Sequence, residues 1–253
     1  MNPKQAYEYA LKNGPEENTR NIACQDSYYA YWYAVDIDKC PREDTRNAAC
    51  GNPYYAYIYA RDIDRNSRED TRQAACKDFI SAYTYALYID KSPREDTRKA
   101  ACKNPRYAYW YASIIDKSST EDTRKSTCKH PKYAYEYALK IDKGFQEDTR
   151  KAACKSPKYA YLYAKNIDRY PGEETRKAVC KNPRYAYFYA KDIDGHSEKD
   201  TRKAVCRSLN YAYLYALNID KGFHEDTYNT IRNTKYEKEY KEFLKNQAKE
   251  KVI

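Results

Sequence analysis

The apolar and polar positions of the chain repeat with a period of 26 residues. Each period contains two short stretches that match or closely resemble Glu-Asp-Thr-Arg-x-Ala-Ala-Cys and Tyr-Ala-Tyr-x-Tyr-Ala, and a threonine recurs in register from Thr19 to Thr227. Small or aromatic residues three to four positions apart in both stretches indicate α-helices. A unit this short must stack on its neighbours to bury a core. The pattern therefore predicts an all-α fold, an α-solenoid of about nine stacked 26-residue helix-turn-helix repeats.

We call the first helix of each repeat helix A and the second helix B. The whole chain, residues 1–253, is interpreted as a single repeat domain. Residues 1–15 are an N-terminal capping helix, residues 16–220 are eight repeats, and residues 221–253 are a C-terminal capping helix and charged tail. One long helix is expected to start near Glu225 and to cover the end of the core. Its apolar stripe is formed by Tyr236, Tyr240 and Phe243.

The boundaries of the two helices are clearest in the repeat that follows residue 91. The segment Ser92–Glu95 predicts a capping box at the start of helix A, which runs to about Lys103. Asn104 and Pro105 then end helix A and start helix B, with Asn104 as the N-cap. Helix B is expected to end near Asp116.

A helical wheel places one side of helix B away from the core. Tyr107 and Tyr109 point sideways, toward the preceding and the following repeat. Between them lies the Trp110 position, which varies from repeat to repeat and is flanked by basic positions. A contiguous apolar row of this kind usually marks a binding surface, although strong curvature would instead pack the row between adjacent B helices. The candidate binding residues are Trp32, Arg106, Trp110, Lys117, Lys132, Lys158, Arg184 and Phe188.

A recurring arginine of helix A and a recurring aspartate at the end of helix B are expected to form a structural ion-pair ladder. An aspartate near a helix C-terminus is disfavoured by the helix dipole, so its recurrence indicates a partner. The alternative is a row of guanidinium groups that are free to bind phosphate. The residues taken to represent the ladder are Arg98, Asp116, Arg124 and Asp142.

The formal net charge of +10 favours an acidic partner, which could be a nucleic acid, an anionic lipid surface or an acidic protein. Eight of the nine cysteines occupy one position of the repeat, so neighbouring units hold them too far apart for disulfides. They are interpreted as small buried apolar residues in a reducing compartment, with Cys40 as the one exposed thiol. No segment has the apolar length of a signal peptide core or a membrane span, so a cytoplasmic protein without a membrane partner is expected.

The sequence shows no constellation that carries catalysis. His130, His196 and His224 occupy unrelated positions of the repeat, and no glycine-rich phosphate loop is present. The adjacent acids of helix A lie at different helix angles, which does not suit a shared acid–base role. The expectation is a protein that is not an enzyme, with no catalytic residue, metal site, cofactor or small-molecule substrate.

The helix B phrase Tyr-Ala-Tyr-x-Tyr-Ala with a following Ile-Asp resembles short Trp/Tyr-Ala-Tyr two-helix repeats of phage, bacterial and giant-virus proteins. It is also similar to a viral repeat family that pairs an Ala-Val-Lys helix with a Tyr-Ala-Leu-x-Tyr-Ala helix. The resemblance covers roughly residues 3–230, and Cys102 and the Glu-Asp-Thr-Arg run depart from both patterns. It implies an α-solenoid of viral or phage origin and carries no activity or site residues.

Two functions from different classes remain after these exclusions. The first is a binding solenoid that engages a host or partner protein through the basic and aromatic B-helix surface. The alternative is an RNA or single-stranded nucleic-acid binder, in which successive repeats offer a cation and a stacking ring. A scaffold without a specific ligand is the third possibility.

Overall fold

The structure, a computed structural model, describes residues 1–250. Within these residues it consists of 19 helices and no strand, and helix pairs recur about every 26 residues, which confirms the predicted α-solenoid. Residues 251–253, the end of the predicted charged tail, lie outside the described residues. The chain forms two compact units, Met1–Thr127 and Cys128–Ile253, which we call the N-terminal and the C-terminal unit.

Even-numbered helices are A helices and odd-numbered helices are B helices. The N-terminal unit contains α1 (Pro3–Asn13), α2 (Glu17–Ala23), α3 (Ser27–Tyr33), α4 (Glu43–Ala49), α5 (Pro53–Tyr59), α6 (Glu69–Ala75), α7 (Phe79–Tyr85), α8 (Glu95–Ala101), α9 (Pro105–Trp110) and α10 (Glu121–Thr127). The C-terminal unit contains α11 (Pro131–Tyr137), α12 (Glu147–Ala153), α13 (Pro157–Tyr163), α14 (Glu173–Val179), α15 (Pro183–Tyr189), α16 (Lys199–Val205), α17 (Leu209–Tyr215), α18 (Glu225–Ile231) and α19 (Glu237–Glu250).

Each B helix from α3 to α17, that is each odd-numbered helix in that range, continues into a π-helical segment. The sequence did not predict these segments. In the first of these segments the backbone N–H of Lys39 donates to the carbonyl of Ala34, five residues earlier. In α1, which has no π-helical segment, Gly14 donates to Ala10, four residues earlier. The segment is therefore a one-residue insertion into helix B. The π-helical segments are Ala34–Asp38, Ala60–Asp64, Ala86–Asp90, Tyr111–Asp116, Ala138–Asp142, Ala164–Asp168, Ala190–Asp194 and Ala216–Asp220.

The residue after each π-helical segment adopts the left-handed conformation, which usually favours glycine. Glycine occupies this position once, at Gly195 with φ 71°. In the other seven repeats the residue is basic, with φ between 49° and 60°. These residues are Lys39, Arg65, Lys91, Lys117, Lys143, Arg169 and Lys221.

The predicted capping box at Ser92 is wrong, because helix A starts later and is capped by a different group. Helix α8 begins at Glu95, and its N-cap Arg94 makes no side-chain cap. The hydroxyl group of Tyr111, from the helix B of the same repeat, accepts a hydrogen bond from the Arg94 N–H at 3.0 Å. The same hydroxyl lies 2.9 Å from Thr97 Oγ1. A buried tyrosine thus performs the capping that was assigned to a serine.

This Thr–Tyr pair, 14 residues apart in sequence, recurs along the chain with O–O distances of 2.8–3.0 Å. Its tyrosines are fully buried, whereas the rest of the core is largely alanine. The pairs are Thr19–Tyr33, Thr45–Tyr59, Thr71–Tyr85, Thr97–Tyr111, Thr149–Tyr163, Thr175–Tyr189 and Thr201–Tyr215.

The turn between the two helices of a repeat follows the predicted signals in part. Asn104 caps helix B as expected, and its Oδ1 accepts from the Arg106 N–H at 2.9 Å. Helix A ends at Ala101 and not at Lys103. The N–H of Lys103 bonds to a carbonyl three residues earlier, so the chain has already left the α-helical pattern there.

The predicted single long helix at the C-terminus is two helices. Helix α18 ends at Ile231, the left-handed Asn233 turns the chain, and α19 starts at Glu237. The apolar stripe covers the core as expected, since Tyr240 is fully buried. Its hydroxyl donates to the carbonyl of Gly222 at 2.9 Å, so Tyr240 reaches the segment before the last helix A, as the repeat tyrosines do. Tyr236 and Phe243 pack at the same cluster.

The eight repeat cysteines are half-buried, and only Cys40 is exposed. These thiols are less buried than predicted, because seven of them belong to the C-cap residues of A helices, where the chain turns toward the surface. Within the described residues no two of the nine cysteines form a disulfide. Burial raises the pKa of Cys154 to about 11, and nearby carboxylates act in the same direction.

Candidate binding surface on the B helices

The Trp110 ring lies in the seam between two adjacent B helices. Its centroid is 6.0 Å from that of Tyr83 in the preceding repeat and 5.2 Å from that of Tyr107. The guanidinium of Arg106 covers the ring at 4.1 Å from the centroid. Trp110 is therefore half-buried. In this repeat the outward-facing, exposed residue is Arg106, and Trp110 packs partly between the two helices.

Trp32 occupies the equivalent position of its own repeat, where it is half-buried and its ring centroid lies 5.1 Å from that of the adjacent Tyr31. The apolar side chains that project most from this part of the surface belong to the neighbouring position of the repeat. Tyr28, Tyr54 and Ile80 are 44%, 56% and 46% exposed. The N-terminal unit thus presents an apolar and aromatic B-helix surface.

In the C-terminal unit the same surface forms a groove between α13 and α15. It brings together three of the sequence-predicted residues, Lys158, Arg184 and Phe188. Lys132 lies on α11, half-buried and 4.0 Å from Glu136, and Lys117 is an exposed left-handed residue of the N-terminal unit. We call this groove the basic groove. It is lined by Lys158, Tyr161, Leu162, Lys165, Arg184, Tyr185, Phe188, Lys191 and Asp192.

Lys165 and Lys191 were missed by the sequence interpretation. They occupy the position of Ser113, which belongs to the same outward side of helix B but is uncharged in the repeat used for the wheel. A comparison of that position across all repeats would have found them. Both side chains are exposed in the groove.

The one carboxylate of the basic groove is already engaged. Asp192 accepts a hydrogen bond from the Tyr161 hydroxyl and from Lys165 Nζ, the latter at 2.7 Å. Burial opposes ionisation of Asp192, but these two hydrogen bonds outweigh it and lower its pKa. Among the described residues no carboxylate pairs with Lys158, Arg184 or Lys191. The groove therefore holds three cations without an ion-pair partner in that part of the chain.

The positive charge of the whole chain, like that of the groove, is concentrated in the C-terminal unit. Residues 1–127 hold 20 Lys and Arg against 19 Asp and Glu, whereas residues 128–253 hold 27 against 18. Nearly the whole formal charge of +10 therefore belongs to the C-terminal unit. An acidic partner is attracted to this unit and not to the N-terminal one.

The recurring arginines and aspartates lie close to each other. Arg98 Nη2 is 2.6 Å from Asp116, and the same pairing occurs in four other repeats at 2.7–3.0 Å. Arg72 reaches Asp96 of the next repeat instead, at 2.7 Å. Arg150 lies 3.2 Å from Glu174 of the next repeat and 4.0 Å from Asp168 of its own. The other pairs are Arg20–Asp38, Arg46–Asp64, Arg176–Asp194 and Arg202–Asp220.

Arg124 and Asp142, the other two residues taken for the ladder, belong to different units. Arg124 donates to Ser119 Oγ at 2.8 Å in the N-terminal unit. Asp142 ends the first π-helical segment of the C-terminal unit. The guanidinium groups named here bind side chains of the protein itself, which does not favour the alternative of a free phosphate-binding row.

Within residues 1–250 no group of three or more histidine, cysteine or acidic side chains is arranged to hold a metal ion. No helix in this range combines the length and the apolar composition that a membrane crossing requires. Comparison of the chain with protein-family models, with curated proteins and with solved structures gives no match.

Proposed function

We propose that this protein is a non-enzymatic binding solenoid that engages a partner protein through its B-helix surface, and that the basic groove of the C-terminal unit is the centre of that interface. The observation that carries the proposal is the groove itself. Lys158, Arg184 and Lys191, which pair with no carboxylate among the described residues, surround the apolar side chains of Leu162 and Phe188. An apolar centre within a polar rim is the usual anatomy of a protein–protein interface.

The cover over the rings of Trp110 and Phe188 favours a protein over a nucleic acid at these two positions. Base stacking needs a ring face that is open to solvent. The Trp110 face carries the Arg106 guanidinium, and Phe188 lies 5.5 Å from Tyr187 and 5.8 Å from the Arg184 guanidinium. Apolar side chains of a protein partner can pack on such a surface without a free ring face.

The resemblance of the repeats to viral and phage proteins supports a more specific form of the proposal. In that form the protein is a viral or phage factor that engages a host protein in the cytoplasm. The absence of disulfides among the nine cysteines of the described residues agrees with a reducing compartment, because disulfides are rare there.

The test is capture from a host lysate with two variants of equal charge change. Lys158→Glu with Arg184→Glu alters the basic groove, and Lys155→Glu with Lys181→Glu alters exposed positions of the same unit outside the groove. The proposal is supported by a lysate protein that is still captured after nuclease treatment, is no longer captured by the first variant, and is captured by the second variant as by the wild type.

Two results would count against it. Equal capture by both variants would place the interface elsewhere on the molecule. Capture that disappears after nuclease treatment would favour the nucleic-acid alternative, and a steep salt dependence would accompany it.

A further inference from the structure

The basic groove is built from one triad that occurs on two successive B helices. On α13 and its π-helical segment, Lys158, Leu162 and Lys165 follow at i, i+4 and i+7, and one period later Arg184, Phe188 and Lys191 do the same. Residues at this spacing lie on one side of a helix. Two rows of cations therefore flank a central apolar row.

No other repeat has a cation on both sides of an apolar residue at these three positions. The repeat of Tyr54 and Ile58 has Arg61 at the third position but a tyrosine at the first, and Arg61 pairs with Asp62. The repeat of Arg106 and Trp110 has Ser113 there. The remaining triads are Lys4–Glu8–Leu11, Tyr28–Trp32–Val35, Ile80–Thr84–Leu87, Lys132–Glu136–Leu139 and Asn210–Leu214–Leu217.

We infer that the basic groove binds an acidic peptide segment whose carboxylates flank one large apolar side chain, with that side chain packed against Leu162 and Phe188. The inference rests on the proposed function and names the chemistry of the partner at the same site. Carboxylates on both sides of the apolar residue would meet the two rows of cations, and Arg184 can bind a carboxylate through two parallel hydrogen bonds.

The arrangement of charge favours such a peptide over a phosphate chain. An apolar row separates the two rows of cations, and the single carboxylate of the groove, Asp192, remains on one side of it, held by Lys165. A phosphate chain would leave Leu162 and Phe188 without an apolar partner. An acidic–apolar–acidic segment has a partner for each of the three rows.

The experiment uses the full chain and an array of labelled ten-residue peptides, in each of which one Phe or Leu is flanked by Asp or Glu at a different spacing. Fluorescence anisotropy would measure affinity for the wild-type protein, Arg184→Glu, Phe188→Ala and the control Lys181→Glu. We expect at least one spacing to bind the wild type and the control alike, and each groove variant to bind it about tenfold more weakly. Replacing the central apolar residue of that peptide with Ala should weaken binding by a similar factor.

Three outcomes would overturn the inference. No peptide binds the wild type more tightly than Arg184→Glu, or the Ala-substituted peptide binds equally well, or a labelled single-stranded oligonucleotide competes for the groove better than the peptides. If lysate capture still depends on Lys158 and Arg184 in any of these cases, the proposed function stands and only the peptide chemistry is wrong. Circular dichroism of each variant would show that its helices are intact.

Discussion

The hydroxyl groups of Thr97 and Tyr111 lie 2.9 Å apart in the buried interior of a repeat, one from helix A and one from helix B. The tyrosine hydroxyl also bonds the N–H and the carbonyl of Arg94, at 3.0 and 3.1 Å. Burial raises the pKa of Tyr111, so the phenol remains protonated and can donate one of these bonds. One side chain thus satisfies the start of one helix and fixes its position against the next.

Tyr111→Phe should destabilise the protein, because it leaves the Arg94 N–H without its partner inside the repeat. A buried donor that loses its partner costs about 1–3 kcal/mol. Urea unfolding would measure the change, with Tyr107→Phe as the control, since no hydrogen bond to the Tyr107 hydroxyl occurs among the described residues. Equal effects of the two substitutions would show that the Thr97–Tyr111 pair contributes nothing specific.

Lys117→Gly should stabilise the protein, because Lys117 has φ 54°. The left-handed conformation costs an L-residue about 1–2 kcal/mol, while the loss of a cation at a helix C-terminus and the greater freedom of glycine when unfolded offset part of the gain. We expect a net gain of about 0.5–1 kcal/mol in the free energy of unfolding. Ser118→Gly, one residue later, is the control. A loss of stability in Lys117→Gly would show that the basic side chain itself stabilises the turn.

Asp168 and Asp192 should change stability with pH in opposite directions. Burial raises the pKa of Asp168, so its contribution is full below the pKa of the unfolded chain and is lost as pH rises through the folded value. The pKa of Asp192 is lowered, so its contribution is present above the unfolded pKa and is lost as pH falls through the folded value.

The check is the melting temperature of the wild type, Asp168→Asn and Asp192→Asn between about pH 3 and 7, on both sides of the unfolded aspartate pKa. Relative to the wild type, Asp168→Asn should become more stable as pH rises, and Asp192→Asn should become less stable. Parallel curves for all three proteins would mean that neither carboxyl titrates differently in the folded state.

A thiol reagent at neutral pH should label Cys40 first. Cys40 is the exposed cysteine, and the other eight are half-buried. Burial also raises the pKa of Cys50 and Cys180 to about 11, which suppresses the thiolate that reacts. Cys40→Ser should therefore remove the fast phase of labelling, whereas Cys50→Ser should leave it. A fast phase that survives Cys40→Ser would show that the repeat thiols open readily.

The sequence predicted those features that depend on neighbouring residues. The helix pair and the cap at Asn104 follow from local spacing and from side-chain chemistry two residues away. The Thr97–Tyr111 pair was missed because its partners are on different helices. The π-helical segment was missed because one extra residue inside Tyr-Ala-x-x-Ile-Asp leaves the phrase looking like an ordinary helix. The position of Trp110 in the seam depends on how the preceding repeat packs against its own. The residues of a single repeat carry no information about that packing.

The surface was predicted in part for a similar reason. Arg184 and Phe188 differ from their equivalents in other repeats, so they stand out once the repeats are aligned. Lys165 was overlooked because its equivalent in the reference repeat is Ser113. Whether Asp192 cancels the charge of Lys165 is decided by a contact across 27 residues, and only the folded chain shows it.

The Thr–Tyr pair has a consequence for how such a gene can change in length. Both partners lie within one 26-residue period, so a tandem duplication or deletion of 26 codons copies or removes each pair whole. The outward triads, by contrast, form the basic groove only when two of them lie on successive B helices. A duplication of the repeat that contains Lys158–Lys165 would therefore lengthen the groove by one B helix. Recombination can therefore lengthen or shorten the ligand surface while every helix start keeps its own tyrosine.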